Sequence, residues 1–155
     1  MAMLYKALAV VRNVIQVIVI CGDNQRLAHA IRTESTQTNI ATVVIDKLPS
    51  MSDMMAACDL LVTKAGGLTT YEAIARRLPM AIDMISELMP QEAGTAAILI
   101  EAKLAVSIAT PDDIVALAER LQVRERRAEL PPLPTQHNLD RTNSVYDIAK
   151  LILAS

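Results

Sequence analysis

Short runs of β-branched and aliphatic residues alternate along this chain with stretches in which apolar residues recur every three or four positions. The runs Val14–Cys21, Ala41–Asp46, Asp59–Thr63, Met80–Met84 and Leu104–Ile108 read as strands. Between them, Asp23–Thr33, Ser50–Ala57, Thr70–Arg77 and Gln91–Ala102 read as helices, with Leu27 and Ile31 spaced by four. Near-continuous apolar strands that alternate with helices predict an α/β fold, a parallel sheet covered by helices. Breakers fall at the joints: Gly22 after the first strand, Pro49 ahead of the second helix, Gly66-Gly67 after the third strand and Pro79 before the fourth. Thr110-Pro111-Asp112-Asp113 is a helix start, with a capping hydroxyl, proline at the first position and acids that the helix dipole favours.

That helix is predicted to reach about Arg127, which closes a domain over residues 1–128. Glu129–Gln136 contains Pro131, Pro132 and Pro134 and reads as an extended linker. Within the remaining 137–155, a helix over Asn143–Ala154 aligns Val145, Ile148, Ala149 and Ile152 on one face that would pack back on the same domain. The front of the chain is unusual. Met1–Arg12 reads as a helix, with Leu4, Leu8 and Val11 on one face. A doubly wound domain ordinarily opens with a strand and a glycine-rich turn before its first helix, so this chain is expected to begin partway into its fold. In the strand order 3-2-1-4-5-6 the missing strand is central, between Val14–Cys21 and Asp59–Thr63. Unpaired backbone groups at such a gap are costly, so the two strands are expected to close up and pair directly. A strand supplied by another chain is the alternative.

Composition narrows the function classes. The 155 residues are 52% hydrophobic, which gives about one domain with a real core and excludes disorder for its body. Fifteen basic against seventeen acidic side chains leave a net charge of −2, and the only aromatics are three Tyr. Neither a basic footprint nor a stacking platform is present, so nucleic acid is not an expected partner. Val14–Cys21 is too short to span a bilayer, and no cleavable leader is recognised, so a cytoplasmic location is expected. Cys21 and Cys58 read as reduced core thiols.

The stretch DLLVTKAGGLTTYEA, Asp59–Ala73, carries the chemistry: a strand, a glycine pair and a helix that starts near Thr69. Free backbone N–H groups and the helix dipole favour an anion at such a junction, and Gly66 and Gly67 let a ligand approach without obstruction from a Cβ. The hydroxyls of Thr69 and Thr70 can add donors to phosphate oxygens. Glu72 has two readings: it completes a capping box with Thr69, or it accepts hydrogen bonds from the two hydroxyls of a ribose. Lys64 is either a solvated charge at the strand end or a ligand contact.

TKAGGLTTYEAIARRLP (Thr63–Pro79) followed by MPQEAGTAA (Met89–Ala97) resembles the nucleotide-sugar-binding C-terminal domain of family 28 glycosyltransferases of the GT-B fold, and the wording is nearest the diacylglycerol-type enzymes. ICGDNQRL (Ile20–Leu27) and LPSMSDMMAACDLLVTKAGG (Leu48–Gly67) resemble earlier blocks of the same family. The resemblance implies that Gly66, Gly67, Leu68, Thr69 and Thr70 hold the donor diphosphate and that Glu72 binds the ribose. It implies that Gln91 and Glu92 reach the donor sugar, that Gly22 and Asn24 line the nucleotide cleft, and that the loop ending at Met51 lies beside the uracil. The chain departs from the family pattern before Gln91, where Pro90 stands in place of glycine, and at Thr95, where asparagine is usual.

The implied function is the UDP-sugar-binding half of an enzyme that transfers a hexosyl group to a lipid-type acceptor, inverting and without a bound metal or cofactor. The departing UDP would be stabilised by the helix N-terminus, and a base on an N-terminal acceptor domain or partner subunit would take the acceptor proton. That missing half would also supply any contact with the inner face of a membrane. No catalytic residue is assigned to this chain: His29 lies mid-helix and His137 in the linker region, just after Gln136, so the chain alone is expected to be inactive. Two other classes fit less well. A nucleotide-sugar epimerase or non-catalytic nucleotide module shares the architecture, but no acid–base pair suits an epimerase. In a purely structural domain the glycine pair would merely turn the chain.

Overall fold

The computed structural model describes residues 2–11, 15–48 and 50–122. The expected linker over Glu129–Gln136, the helix over Asn143–Ala154 and the tail of the helix to Arg127 lie outside the described residues. Helix α1 (Ala2–Ala7) runs into a short 3-10 turn, Leu8–Val10. Then follow β1 (Gln16–Ile20), α2 (Gln25–Ser35), β2 (Ala41–Ile45), α3 (Met51–Ala56) and β3 (Leu61–Thr63). Next come α4 (Gly67–Arg76), β4 (Met80–Asp83), α5 (Pro90–Glu101), β5 (Ala105–Ile108) and α6 (Pro111–Gln122). Every strand pair is parallel, as the alternation of strands and helices requires. The architecture is a Rossmann-like α/β half domain. Among the described residues, no helix is long and apolar enough to cross a membrane.

Local chemistry explains most boundaries. Asn24, rather than Asp23, caps α2: its Oδ1 accepts the Leu27 N–H at 2.9 Å. Ser50 Oγ accepts the Asp53 N–H at 3.2 Å and starts α3. At α6 the cap is reversed from the expected threonine hydroxyl, because Asp113 Oδ2 accepts the N–H groups of Ala109 (2.9 Å) and Thr110 (2.7 Å). Those amides hold the Asp113 carboxyl below its ordinary range. Helix α1 ends at Ala7, well before the expected Arg12, and α4 starts at Gly67 with Gly66 as its cap, three residues ahead of the expected Thr70.

The strands form two sheets, β1-β2 and β3-β4-β5. The expected closure of the central gap does not occur: β1 and β3 do not pair. The reason lies in α1. Leu4, Tyr5 and Leu8 are buried in a cluster that includes Ile31 of α2, Ala81 of β4 and Ile114, Leu117 and Ala118 of α6. The helix thus packs against elements belonging to both sheets, and its buried side chains line a cavity of about 560 Å³ that lies between β1 and β3. A second cluster around Met55, Ala73, Leu78, Met80, Ile82 and Leu99 fastens α3, α4 and α5 to the larger sheet.

Tyr5 ties α1 to the smaller sheet through its hydroxyl, 2.6 Å from Thr42 Oγ1. Thr42 Oγ1 donates in turn to the Ile40 carbonyl at 3.0 Å, which leaves it as the acceptor for Tyr5. Tyr5→Phe keeps the buried ring and removes this bond, so a loss of about 1 kcal/mol is expected. Thermal denaturation should register it as a fall in Tm of about 2–4 °C.

Candidate functional site

Strand β3 ends at Thr63, and the chain turns into α4 through Lys64, Ala65 and Gly66. The conformational demand of this turn falls on a residue that sequence reasoning did not single out. Ala65 is buried with φ of 62°, whereas Gly66 has an ordinary φ of −61° and Gly67 is already helical. An alanine held in the left-handed region stores strain of about 1–2 kcal/mol. A Cβ added at Gly66 or Gly67 would meet nothing within 4 Å. The backbone therefore does not require these glycines, and their effect is to leave open space above the helix start.

No side chain caps α4. The N–H groups of Gly67, Leu68 and Thr69 precede the first intrahelical bond, which runs from the Thr70 N–H to the Gly66 carbonyl at 3.0 Å. Leu68 is 75% exposed, so this end of the helix opens to solvent. Thr70 differs from Thr69: it is 1% exposed, and its hydroxyl has no hydrogen-bond partner. Thr69 lies at the third helical position, so it is not a cap and the Thr69–Glu72 capping box does not form. Glu72 follows one turn after Thr69 on the same face, half-buried, and makes no hydrogen bond or ion pair among the described residues.

The β4–α5 junction meets this loop. Glu92 Oε2 accepts the Met89 N–H at 2.9 Å and lies 3.6 Å from Lys64 Nζ. Lys64 is thus an ion-pair partner that joins the two loops. Gln91 is exposed beside it and reaches back to Met89 Sδ at 3.6 Å. Met51, Lys64 and Thr69 line one cavity between the sheets. Gly22 and Asn24 stand outside that lining, on the turn after β1, where Gly22 has φ of 55° and Asn24 is occupied as the cap of α2. Four strand C-terminal ends, those of β1, β2, β3 and β4, lead into the turns that carry the candidate residues. In open α/β sheets this edge is where ligands bind.

Asp83 was not anticipated. It ends β4 and is fully buried. Its Oδ1 accepts the N–H groups of Ile85 (3.0 Å) and Ser86 (3.1 Å), and its Oδ2 accepts the Ser86 hydroxyl at 2.6 Å. Burial pushes the carboxyl up, but the groups around it, the Ser86 hydroxyl and amide foremost among them, together outweigh it and hold the group below its ordinary value. The signal was present as an acid at the end of an apolar strand with serine three residues on, the pattern of a side-chain-capped turn. Burial raises the thiol pKa of both Cys21 and Cys58, reinforced by Asp46 and Asp59 respectively, so neither is an activated nucleophile. Among the described residues, no group of three or more His, Cys, Asp or Glu is placed to hold a metal.

Fold and junction define a Rossmann-like half domain with a glycine-opened helix start, without a side-chain cap among the described residues, at the C-terminal edge of its strands. The chain is similar to glycolipid glycosyltransferases. It is 40% identical over 86 residues to a "probable monogalactosyldiacylglycerol synthase" of Nicotiana tabacum, a match that covers 56% of this chain and 15% of the relative. It is 38% identical over 66 residues to a processive diacylglycerol beta-glucosyltransferase of Staphylococcus carnosus, covering 42% and 16%. It is 33% identical over 99 residues to the monogalactosyldiacylglycerol synthase of Spinacia oleracea, covering 64% and 18%. The chain spans less than a fifth of the length of these relatives. No family model matches it.

Asp83 makes the β4–α5 turn sensitive to acid. Its folded pKa lies below the unfolded value of about 3.9, so its contribution is present above that value and is lost as pH falls through the folded one. Asp83→Asn should destabilise the protein by about 1–3 kcal/mol at pH 7. Urea denaturation across pH should find the two proteins converging below about pH 4.

Proposed function

We propose that this chain binds the nucleoside diphosphate of a UDP-sugar and serves as the donor half of a glycosyltransferase acting on a lipid-type acceptor. The observation that carries the reading is the start of α4, an exposed and uncapped helix N-terminus above which Gly66 and Gly67 leave open space that the backbone itself does not need. Three unpaired N–H groups and the positive end of the helix dipole suit a diphosphate. The strained turn at Ala65 aims that end at the strand edge, and strain of this kind gathers at ligand clamps. Similarity to enzymes named for diacylglycerol glucosylation and monogalactosyldiacylglycerol synthesis supports a sugar nucleotide over other anions.

In this reading the amides of Gly67, Leu68 and Thr69 take the phosphate oxygens, and Glu72, unengaged in the fold, accepts the ribose hydroxyls one turn along. Thr70 acts from below by packing, since its hydroxyl is buried. Gln91 and the second oxygen of Glu92 face the sugar, with Lys64 holding Glu92 in position. Met51 and the turn at Gly22 and Asn24 border the base. As the glycosidic bond breaks, charge develops on UDP and the preorganised amides stabilise it without a metal, so the transfer inverts at the sugar carbon through direct attack by the acceptor hydroxyl. The base that accepts the hydroxyl proton belongs to an acceptor domain or partner subunit. Leu68, Met84 and Met89 are exposed apolar side chains on this same edge and offer that partner a surface. The enzyme would work on the cytoplasmic face of a membrane through that half.

Titration calorimetry with UDP tests the site. In Gly67→Val a branched side chain enters the space left for phosphate, and UDP affinity should fall at least tenfold. The fold should lose no more than about 1 kcal/mol, because the added Cβ meets nothing within 4 Å and the exposed position is helical. Unchanged affinity would refute the assignment.

Glu72→Gln separates recognition from folding. The weaker acceptor should reduce UDP binding by about 1–3 kcal/mol. Melting should stay unchanged in both Glu72→Gln and Glu72→Ala, because Glu72 has no intramolecular partner to lose. Earlier melting of Glu72→Ala with intact UDP binding would return the residue to a structural role.

A further inference from the structure

Between Thr63 at the end of β3 and Thr70 within α4, Ala65 alone is buried: Lys64, Gly66 and Thr69 are half-buried, and Gly67 and Leu68 are exposed. Ala65 is also the one residue of this stretch with a positive φ. At 62° a glycine would be free of strain, whereas an alanine brings its Cβ close to the following carbonyl oxygen. The next two residues are glycines, yet Gly66 has an ordinary φ, and a Cβ added at either would meet nothing within 4 Å. Glycine is thus missing from the position whose backbone favours it. What alanine has and glycine lacks is a methyl group, and here it is only 1% exposed. It belongs to the cluster of Met55, Ala73, Leu78, Met80, Ile82 and Ala96, which come from α3, α4, β4, α5 and the turn after α4. Ahead of Ala65 the chain is held by the pairing of Thr63 with Ile82 and by the Lys64–Glu92 ion pair. After it come two glycines, the least restricted backbone available, before the Thr70 N–H reaches the Gly66 carbonyl.

We infer that Ala65 is a positioning residue for the anion site: its buried methyl locks the strained turn in one conformation and so fixes where the amides of Gly67, Leu68 and Thr69 point. The inference rests on the reading of the α4 start as a diphosphate site. A glycine at this position would adopt the same φ, but it would reach other conformations at little cost. A turn that samples several directions must be ordered when the ligand binds, and that entropy is subtracted from the affinity. For folding, the two effects of the alanine oppose each other, since burial of the methyl is favourable and the left-handed backbone is not. The residue is therefore close to neutral for stability while it narrows the ensemble of the turn. Strain retained at a ligand loop because the surrounding core holds it in place is the expected mark of such a residue.

Two variants of the full 155-residue chain provide the test. Ala65→Gly removes the anchor, and Ala96→Gly removes a methyl of the same cluster from α5, away from the turn. Thermal denaturation, nitrogen-15 relaxation of the ligand-free proteins and calorimetric titration with UDP are read on both. In Ala65→Gly, Tm should move by less than about 3 °C, because lost burial and relieved strain offset each other. Its backbone order parameters at Gly66, Gly67 and Leu68 should fall from about 0.85 to below about 0.6, and UDP affinity should drop by roughly fivefold or more. Saturating UDP should restore the order. Ala96→Gly should lose at least about 4 °C, with the order of the turn and UDP affinity unchanged. Unchanged order parameters in Ala65→Gly would overturn the proposal, as would equal losses of UDP affinity in the two variants. Failure of Ala65→Gly to fold, or a larger fall in Tm than that of Ala96→Gly, would also overturn it, by making the methyl a folding element. Absence of UDP binding by the unmutated chain would count against the diphosphate reading, whereas the ligand-free relaxation would still decide whether Ala65 anchors the turn.

Discussion

Leu4, Tyr5 and Leu8 of the first helix sit where the two sheets would otherwise meet, and the rest of the arrangement depends on that contact. Their burial joins Ile31 beneath the smaller sheet's helix to Ala81, Ile114 and Leu117 on the larger sheet's side in one continuous cluster. Hydrophobic burial is non-directional, so it can hold two sheets in one body without a hydrogen-bonded ladder between them. The contact also keeps β1 and β3 apart. Ladder pairing between them would satisfy backbone groups but would close the cavity that Leu4, Tyr5 and Leu8 line.

Separation of the sheets shapes the ligand edge as well. Met51, Lys64 and Thr69 reach the cavity because, among the described residues, β3 has no neighbouring strand on the β1 side. The start of α4 is held from the other side, by the Lys64–Glu92 pair and by the turn that Asp83 organises through Ile85 and Ser86. Three loops are thereby fixed relative to one another while the helix start keeps its unpaired N–H groups exposed. Such a division, rigid support beneath and unsatisfied polar groups above, is what preorganised anion recognition requires.

Similarity to glycolipid glycosyltransferases and the geometry of α4 rest on different observations and agree. The relatives match through less than a fifth of their length. Where the chain departs from the family wording, at Pro90 and Thr95, the structure gives those residues local duties: Pro90 opens α5, and the Thr95 hydroxyl donates to the Gln91 carbonyl at 3.0 Å.

Alternating hydrophobic runs and breakers determined the parallel α/β class, the order of the elements and most boundaries within two residues, because strand and helix periodicities are local properties of the chain. The anion-prone junction at Gly66-Gly67 was legible for the same reason. Tertiary structure decided what depends on distant partners. It placed the left-handed residue at Ala65 and assigned Asn24 and Asp113 as caps. It paired Lys64 with Glu92 across twenty-eight positions, and it left Glu92 and Thr70 less available than their residue types imply, by capping and burial respectively. It also decided that β1 and β3 stay apart, which no local pattern could express: pairing across a gap is settled by how the helices of both sheets pack around it, and that packing is a property of the assembled core.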